Sequence, residues 1–272
     1  MQRVQPCERR YQAKRKRVDY TTGRHSVDSP AQSFIILTFP NPCNMKHSVC
    51  QSTVYNLLIL DESGSMEVVR EPTIRGFNEL VQSVQGLARE FPEKKQVVSL
   101  TTFNGAGIRE KLFLQESSAL QPLTLADYRP DSMTPLHDAI GQSVSKLCHV
   151  LTATGATSYQ VLVTVLTDGE ENASKEFTRP VIRQLIEQLK EQGWTFTYIG
   201  ANHDVDRAAD GLAIDNKLAF TQNAAEMDVM FTKERMSRRR YNMKPLEDFA
   251  PGRSKADYYD DAEPAHPTPK QG

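Results

Sequence analysis

Asp61, Ser63 and Ser65 occupy alternate positions in NLLILDESGSMEVV, residues 56–69, and a second acid, Asp168, sits in TVLTDGEENAS, residues 164–174. Each acid follows directly on a short apolar run. Two carboxylates brought together repel unless a cation lies between them. Ser63 and Ser65 add neutral oxygens, and Gly64 lets the loop fold back tightly. A donor set of oxygens without Cys or His selects a hard cation, Mg2+ in the first place, with Mn2+ or Ca2+ as alternatives. These side chains do not fill an octahedral shell, so waters and a partner's carboxylate must complete it.

Other residue groups invite chemistry less strongly. Cys43, His47 and Cys50 in CNMKHSVC are three zinc-ligand types without a fourth nearby, at intervals irregular for a finger. His137 has no second nitrogen donor around it and reads as a surface or satisfied histidine rather than a ligand. Glu170 and Glu171 read as acids at the positive end of a helix beginning near Lys175, and Asp138 has the same explanation at the helix before it. Two basic runs, RRYQAKRKR near the start and KERMSRRR at residues 233–240, could meet an anionic partner.

The elements that would position the acids alternate regularly. Strands are expected at Val54–Leu60, Gln96–Phe103, Gln160–Thr167, Trp194–Gly200 and Leu218–Thr221. Glu110–Gln115 follows the Asn104-Gly105 turn as the second arm of a hairpin. Helical spacing predicts helices over Thr73–Glu90, Leu136–Leu151, Lys175–Gln192, Val205–Leu212 and Ala224–Arg240. Continuous apolar strands alternating with helices predict an α/β fold: a doubly wound, mostly parallel sheet covered on both faces. Ligands of such sheets sit beyond the carboxyl ends of the strands, where Asp61 and Asp168 fall.

The chain of 272 residues is 39% hydrophobic with a net charge of −1. That balance points to neither nucleic acid nor a membrane surface, and no apolar run reaches the ~20 residues a spanning helix needs. The four cysteines form no disulfide framework, so a reducing, cytoplasmic compartment is expected. Three parts are expected: a basic, disordered extension over 1–52, a domain over 53–240, and a proline-rich acidic tail over 241–272. Met45-Lys46 reads as an alternative start, which would make residues 1–44 an upstream over-extension.

The stretches TIRGFNELV, MTPLHDAIG, LTDGEENASKEFT and FTYIGANHDV, together with Asp61-x-Ser63-x-Ser65, resemble von Willebrand factor type A domains, and in particular a bacterial stand-alone subfamily. The resemblance runs in order over residues 54–220. It implies a Rossmann-like fold and a metal-ion-dependent adhesion site, with Asp61, Ser63 and Ser65 as the first metal loop, Thr134 as the second and Asp168 as the third. Asp131-Ser132-Met133 precede Thr134 where the family often has glycines. By resemblance, the chain is a non-enzymatic module whose metal accepts an Asp or Glu from an unidentified protein partner. A phosphatase of the haloacid-dehalogenase type also ends its first strand in aspartate, but it needs a second aspartate where Ser63 stands, and a serine does not protonate a leaving group near neutral pH. The remaining rival is a nucleic-acid-associated protein acting through its basic ends. Neither oligomeric state nor partner identity is legible.

Overall fold

The computed structural model describes residues 52–168, 170–201, 205–220, 224–252 and 256–260. Alpha-carbon proximity divides the chain into residues 1–46 and 47–272, and every described residue belongs to the second unit. The expected basic extension, the Cys43/His47/Cys50 group and residues 261–272 lie outside the described residues.

Six strands form one sheet in the order β3-β2-β1-β4-β5-β6: β1 (Ser52–Asp61), β2 (Lys94–Asn104), β3 (Gly107–Glu116), β4 (Tyr159–Thr167), β5 (Thr195–Ala201) and β6 (Asn216–Phe220). All neighbours pair in parallel except β3, which returns antiparallel to β2 through the Asn104-Gly105 hairpin. The expected doubly wound sheet is therefore present. The central β1 is buried from Leu57 to Asp61 because both its faces are covered. Leu57 and Ile59 point into a core with helices α2 (Leu136–Thr154) and α3 (Arg179–Glu191). Leu58 and Leu60 point the other way, into a core with α1 (Arg70–Glu90) and α5 (Ala224–Met243). A continuous apolar run is what a strand buried on two faces requires. A short helix, α4 (Val205–Gly211), joins β5 to β6.

α1 and α5 approach closely at one glycine. A Cβ on Gly76 would lie 1.6 Å from the Phe231 ring, so any side chain there would push the helices apart.

Three expectations change. α3 begins at Arg179 rather than Lys175, because residues 171–178 form a loop held by long-range hydrogen bonds. α5 continues to Met243, and the described part of the expected tail, 241–252 and 256–260, is packed rather than free. Tyr241, Phe249, Tyr258 and Tyr259 are buried against Val54 and Leu162. Finally, the run KERMSRRR is only partly a free basic surface: Glu234, Ser237 and Arg238 are buried, while Arg235 and Arg239 stay exposed. Arg238 is fully buried against Glu234, Arg239 pairs with Glu90, and Arg240 donates to Ser237 Oγ.

Candidate metal centre

The strand order reverses between β1 and β4, and both acids lie at that point. Asp61 is the last residue of β1, and Asp168 follows the last residue of β4. β1 and β4 pair through Leu60 and Leu166, so the two strands end side by side. The loop after Asp61 then turns into a short 3-10 helix, Gly64–Val69, which leads directly into α1.

Hydrogen bonds link the acids and hydroxyls in one cluster. Asp61 Oδ1 accepts the Ser63 N–H at 2.7 Å, and Asp61 Oδ2 accepts the Thr167 hydroxyl at 2.6 Å. Ser65 Oγ donates to Asp168 Oδ1 at 2.8 Å and lies 3.1 Å from Ser63 Oγ. Asp61 and Ser63 are fully buried and Asp168 nearly so, while Ser65 faces solvent. The cluster is thus an oxygen-lined site with a dry floor and one open side.

Electrostatics mark the floor. Burial pushes the Asp61 carboxyl up to about 6, with Asp168 adding to the rise and the bonds from Thr167 and Ser63 opposing it. Burial and the same two acids also raise the phenols of Tyr128 and Tyr198, so both stay neutral. Tyr128 donates its hydroxyl to the Asp61 carbonyl at 2.5 Å and so fixes the strand end. A divalent cation here would reverse the penalty on Asp61, since it favours the ionised carboxylate that burial opposes. Two acids and hydroxyls without nitrogen or sulfur fit a hard cation. Among the described residues no group of three or more His, Cys, Asp or Glu is placed to hold a metal ion by itself.

Thr134 is buried on the loop that enters α2, and its backbone bonds are made with Asn172 rather than with the acid and serine cluster. Its loop is tied to the first one. Gly64 N–H donates to the Ser132 carbonyl at 2.9 Å, and Asp131 N–H donates to the Glu62 carbonyl at 2.9 Å. Ser132 adopts φ +68°, the conformation for which glycine is favoured, so the serine supplies a glycine-like turn under strain. Gly105 makes room for it, because a Cβ there would lie 2.2 Å from Ser132 Oγ.

The site also includes residues that the sequence pattern does not flag. Thr167 and Tyr128 bind Asp61 directly, and a buried Glu62 pairs with the half-exposed Arg109 on β3. Thr167 sits inside the LTDG stretch, where its place before the acid is a usable signal. Tyr128 sits in a polar loop and carries no such signal. Asp138 lies in the first turn of α2 as expected, and its carboxylate also binds amides of the loop before α3. Glu171 lies outside α3 and instead accepts the His137 N–H at the start of α2 together with amides of its own loop. His137 is buried, as expected of a satisfied histidine, and burial lowers its pKa.

Comparison with known proteins agrees with this geometry. The family model described as von Willebrand factor type A domain matches residues 57–233. A search among curated proteins gives no match. Among solved structures, the chain is similar to proximal thread matrix protein 1 from the mussel byssus with a zinc-occupied MIDAS motif, at 13% identity and a TM-score of 0.46, over 68% of this chain and 46% of that one. It is likewise similar to the manganese-loaded TRAP protein of Plasmodium vivax, at 18% identity and 0.44, over 72% and 74%. A third is the vWF domain of the type V pili tip protein Mfa5 from Porphyromonas gingivalis, at 10% identity and 0.46, over 68% and 96%. The chain spans about half the length of the mussel protein.

Proposed function

The chain belongs to the von Willebrand factor type A family, and from that premise we propose that it is a metal-dependent protein-binding module. Asp61, Ser63, Ser65, Thr134 and Asp168 would hold one divalent cation, Mg2+ in the cell, with Mn2+ or Ca2+ able to replace it. The ion would take an Asp or Glu side chain from a partner protein on its open side and would do no chemistry on it. The observation that carries this reading is the buried Asp61 carboxyl, raised to about 6 beside a second acid at the point where strand order reverses. Hydroxyl ligands donate no net charge, so the cation stays electrophilic and able to accept an outside carboxylate.

The surroundings suit a docking face. Met133 and Val68, each next to a metal loop, are exposed large apolar side chains. The rival nucleic-acid reading loses Arg238 from the second basic run, since that side chain is buried against Glu234. No helix among the described residues is long and apolar enough to cross a membrane.

A pull-down with the full chain in Mg2+ tests the proposal, with EDTA and Asp61→Ala as parallel controls. The expected result is a protein retained by the wild type and lost in both controls. Retention unaffected by either control would overturn it. Retention that weakens steeply with salt and ignores EDTA would point to phosphate contacts instead.

A further inference from the structure

Two acids outside the metal set, Glu171 and Asp138, make an unusual number of bonds to backbone. Glu171 Oε1 accepts the N–H groups of Ala173 and Ser174 at 2.8 and 2.7 Å. Its Oε2 accepts the His137 N–H at 2.8 Å and the Ser174 hydroxyl at 2.7 Å. Asp138 accepts the N–H groups of Lys175, Glu176 and Phe177 at 2.7, 2.9 and 2.8 Å. Ser174 Oγ also accepts the Asp138 backbone N–H at 3.0 Å and so ties Glu171 to the first turn of α2. Between them lies a reciprocal pair: Thr134 N–H donates to Asn172 Oδ1 at 2.8 Å, and Asn172 N–H donates to the Thr134 carbonyl at 3.2 Å.

These bonds join two stretches that are far apart in sequence. One is the entry to α2, which begins with Thr134; the other is the loop that begins just after Asp168. A carboxylate offers about four acceptor sites and no donor, so Glu171 at full occupancy fits four converging donors and an amide does not. Charged acceptors make short, strong bonds, and the six from backbone N–H groups and the one from the Ser174 hydroxyl are all 2.9 Å or less. Ordinary helix capping would tie each acid to its own element. Instead Asp138, in the first turn of α2, holds the loop before α3, and Glu171, in that loop, holds the start of α2.

We propose that Glu171, Asp138 and Asn172 are positioning residues that lock the Thr134 loop against the Asp168 loop, so that the second and third metal ligands stand at a fixed separation before the ion arrives. This rests on the metal-binding reading above. Groups that orient metal ligands typically change metal affinity roughly 10- to 100-fold when removed, and the same range is expected here.

The test is a Mn2+ titration of the full chain by electron paramagnetic resonance at low temperature, with thermal unfolding recorded on each sample. Terbium luminescence lifetimes in H2O and D2O count metal-bound waters. The variants are Glu171→Gln, which sets an amide N–H2 against donors, and Asn172→Ala, which removes the side chain bonded to Thr134. Glu187→Gln, an exposed residue of α3 outside the loop, is the control. The account expects unchanged binding in the control, roughly 10- to 100-fold weaker Mn2+ binding in both variants at temperatures where they are folded, and an added metal-bound water as Thr134 drifts away. A purely structural role would lower the melting temperature and leave affinity and water count as in the wild type, which would overturn the proposal. Should Glu171→Gln fail to fold, Asn172→Ala decides alone. A wild type that binds no Mn2+ would sink the metal reading itself, a failure visible before any variant is examined.

Discussion

Two buried carboxylates in this protein are treated in opposite ways. Glu234, on the buried face of α5, is met by the guanidinium of Arg238 at 2.6 Å and by the hydroxyls of Tyr258 and Tyr259 at 3.1 and 2.8 Å. Arg238 in turn donates to Asn56 on β1 and Thr164 on β4, so the helix is pinned to the middle of the sheet. Asp61, at the end of β1, is met by a hydroxyl and an amide, with a second carboxylate nearby that raises its pKa further. One acid is completed by its own chain. The other, under the proposed function, would be completed by a cation. Burial alone therefore does not distinguish a structural acid from a binding acid; the charge of what surrounds it does.

The largest effect should come from breaking the completed region. Arg238→Met leaves Glu234 buried with only neutral donors, and loss of one partner of a buried pair typically destabilises by about 3–5 kcal/mol. Urea unfolding should register this, while metal binding by the folded fraction stays intact. If stability is unchanged, the pair is not holding α5.

The incomplete region should respond in the opposite direction. The Asp61 carboxyl is raised from 3.8 to about 6, which favours the protonated form in the fold. Its contribution to stability is therefore full below pH ~3.8 and is lost as pH rises through about 6, by about 3 kcal/mol in the metal-free protein. Asp61→Asn removes this dependence. At pH 7.5 the metal-free variant should be more stable than metal-free wild type, and added Mn2+ should raise the melting temperature of the wild type only. A variant less stable than wild type in EDTA would contradict the assignment.

A smaller effect is expected at Ser132, whose φ of +68° is strained for a residue with a side chain. Ser132→Gly relieves roughly 1–2 kcal/mol of backbone strain against roughly 0.5–1 kcal/mol of added unfolded-state entropy. A net gain of about 0.5 kcal/mol should appear in thermal unfolding. A loss instead would show that the serine side chain holds the loop.

The sequence shows the completed and incomplete regions unequally. β1 and β4 are legible because strands buried on both faces read as unbroken apolar runs ending in an acid. The start of α3 is not, because the N–H groups of Lys175, Glu176 and Phe177 are bound by Asp138, 37 to 39 residues away. The packing of Tyr241, Phe249, Tyr258 and Tyr259 is hidden for a related reason. Their burial follows no helix or strand period, and the acids and prolines around them make the stretch read as a tail. KERMSRRR misleads because Glu234 lies inside the basic run and the partners of Arg238 come from distant strands. Local patterns thus announce the metal loop, which is built from one short stretch, and conceal whatever is assembled from separate segments.

The most direct test of the central claim is a Mn2+ titration of the full-length wild type beside Asp61→Ala and Asp168→Ala, with circular dichroism recorded on each. The account predicts a single saturable site in the wild type, lost in both variants while the spectra remain those of the folded protein. Equal Mn2+ binding by all three proteins would contradict it.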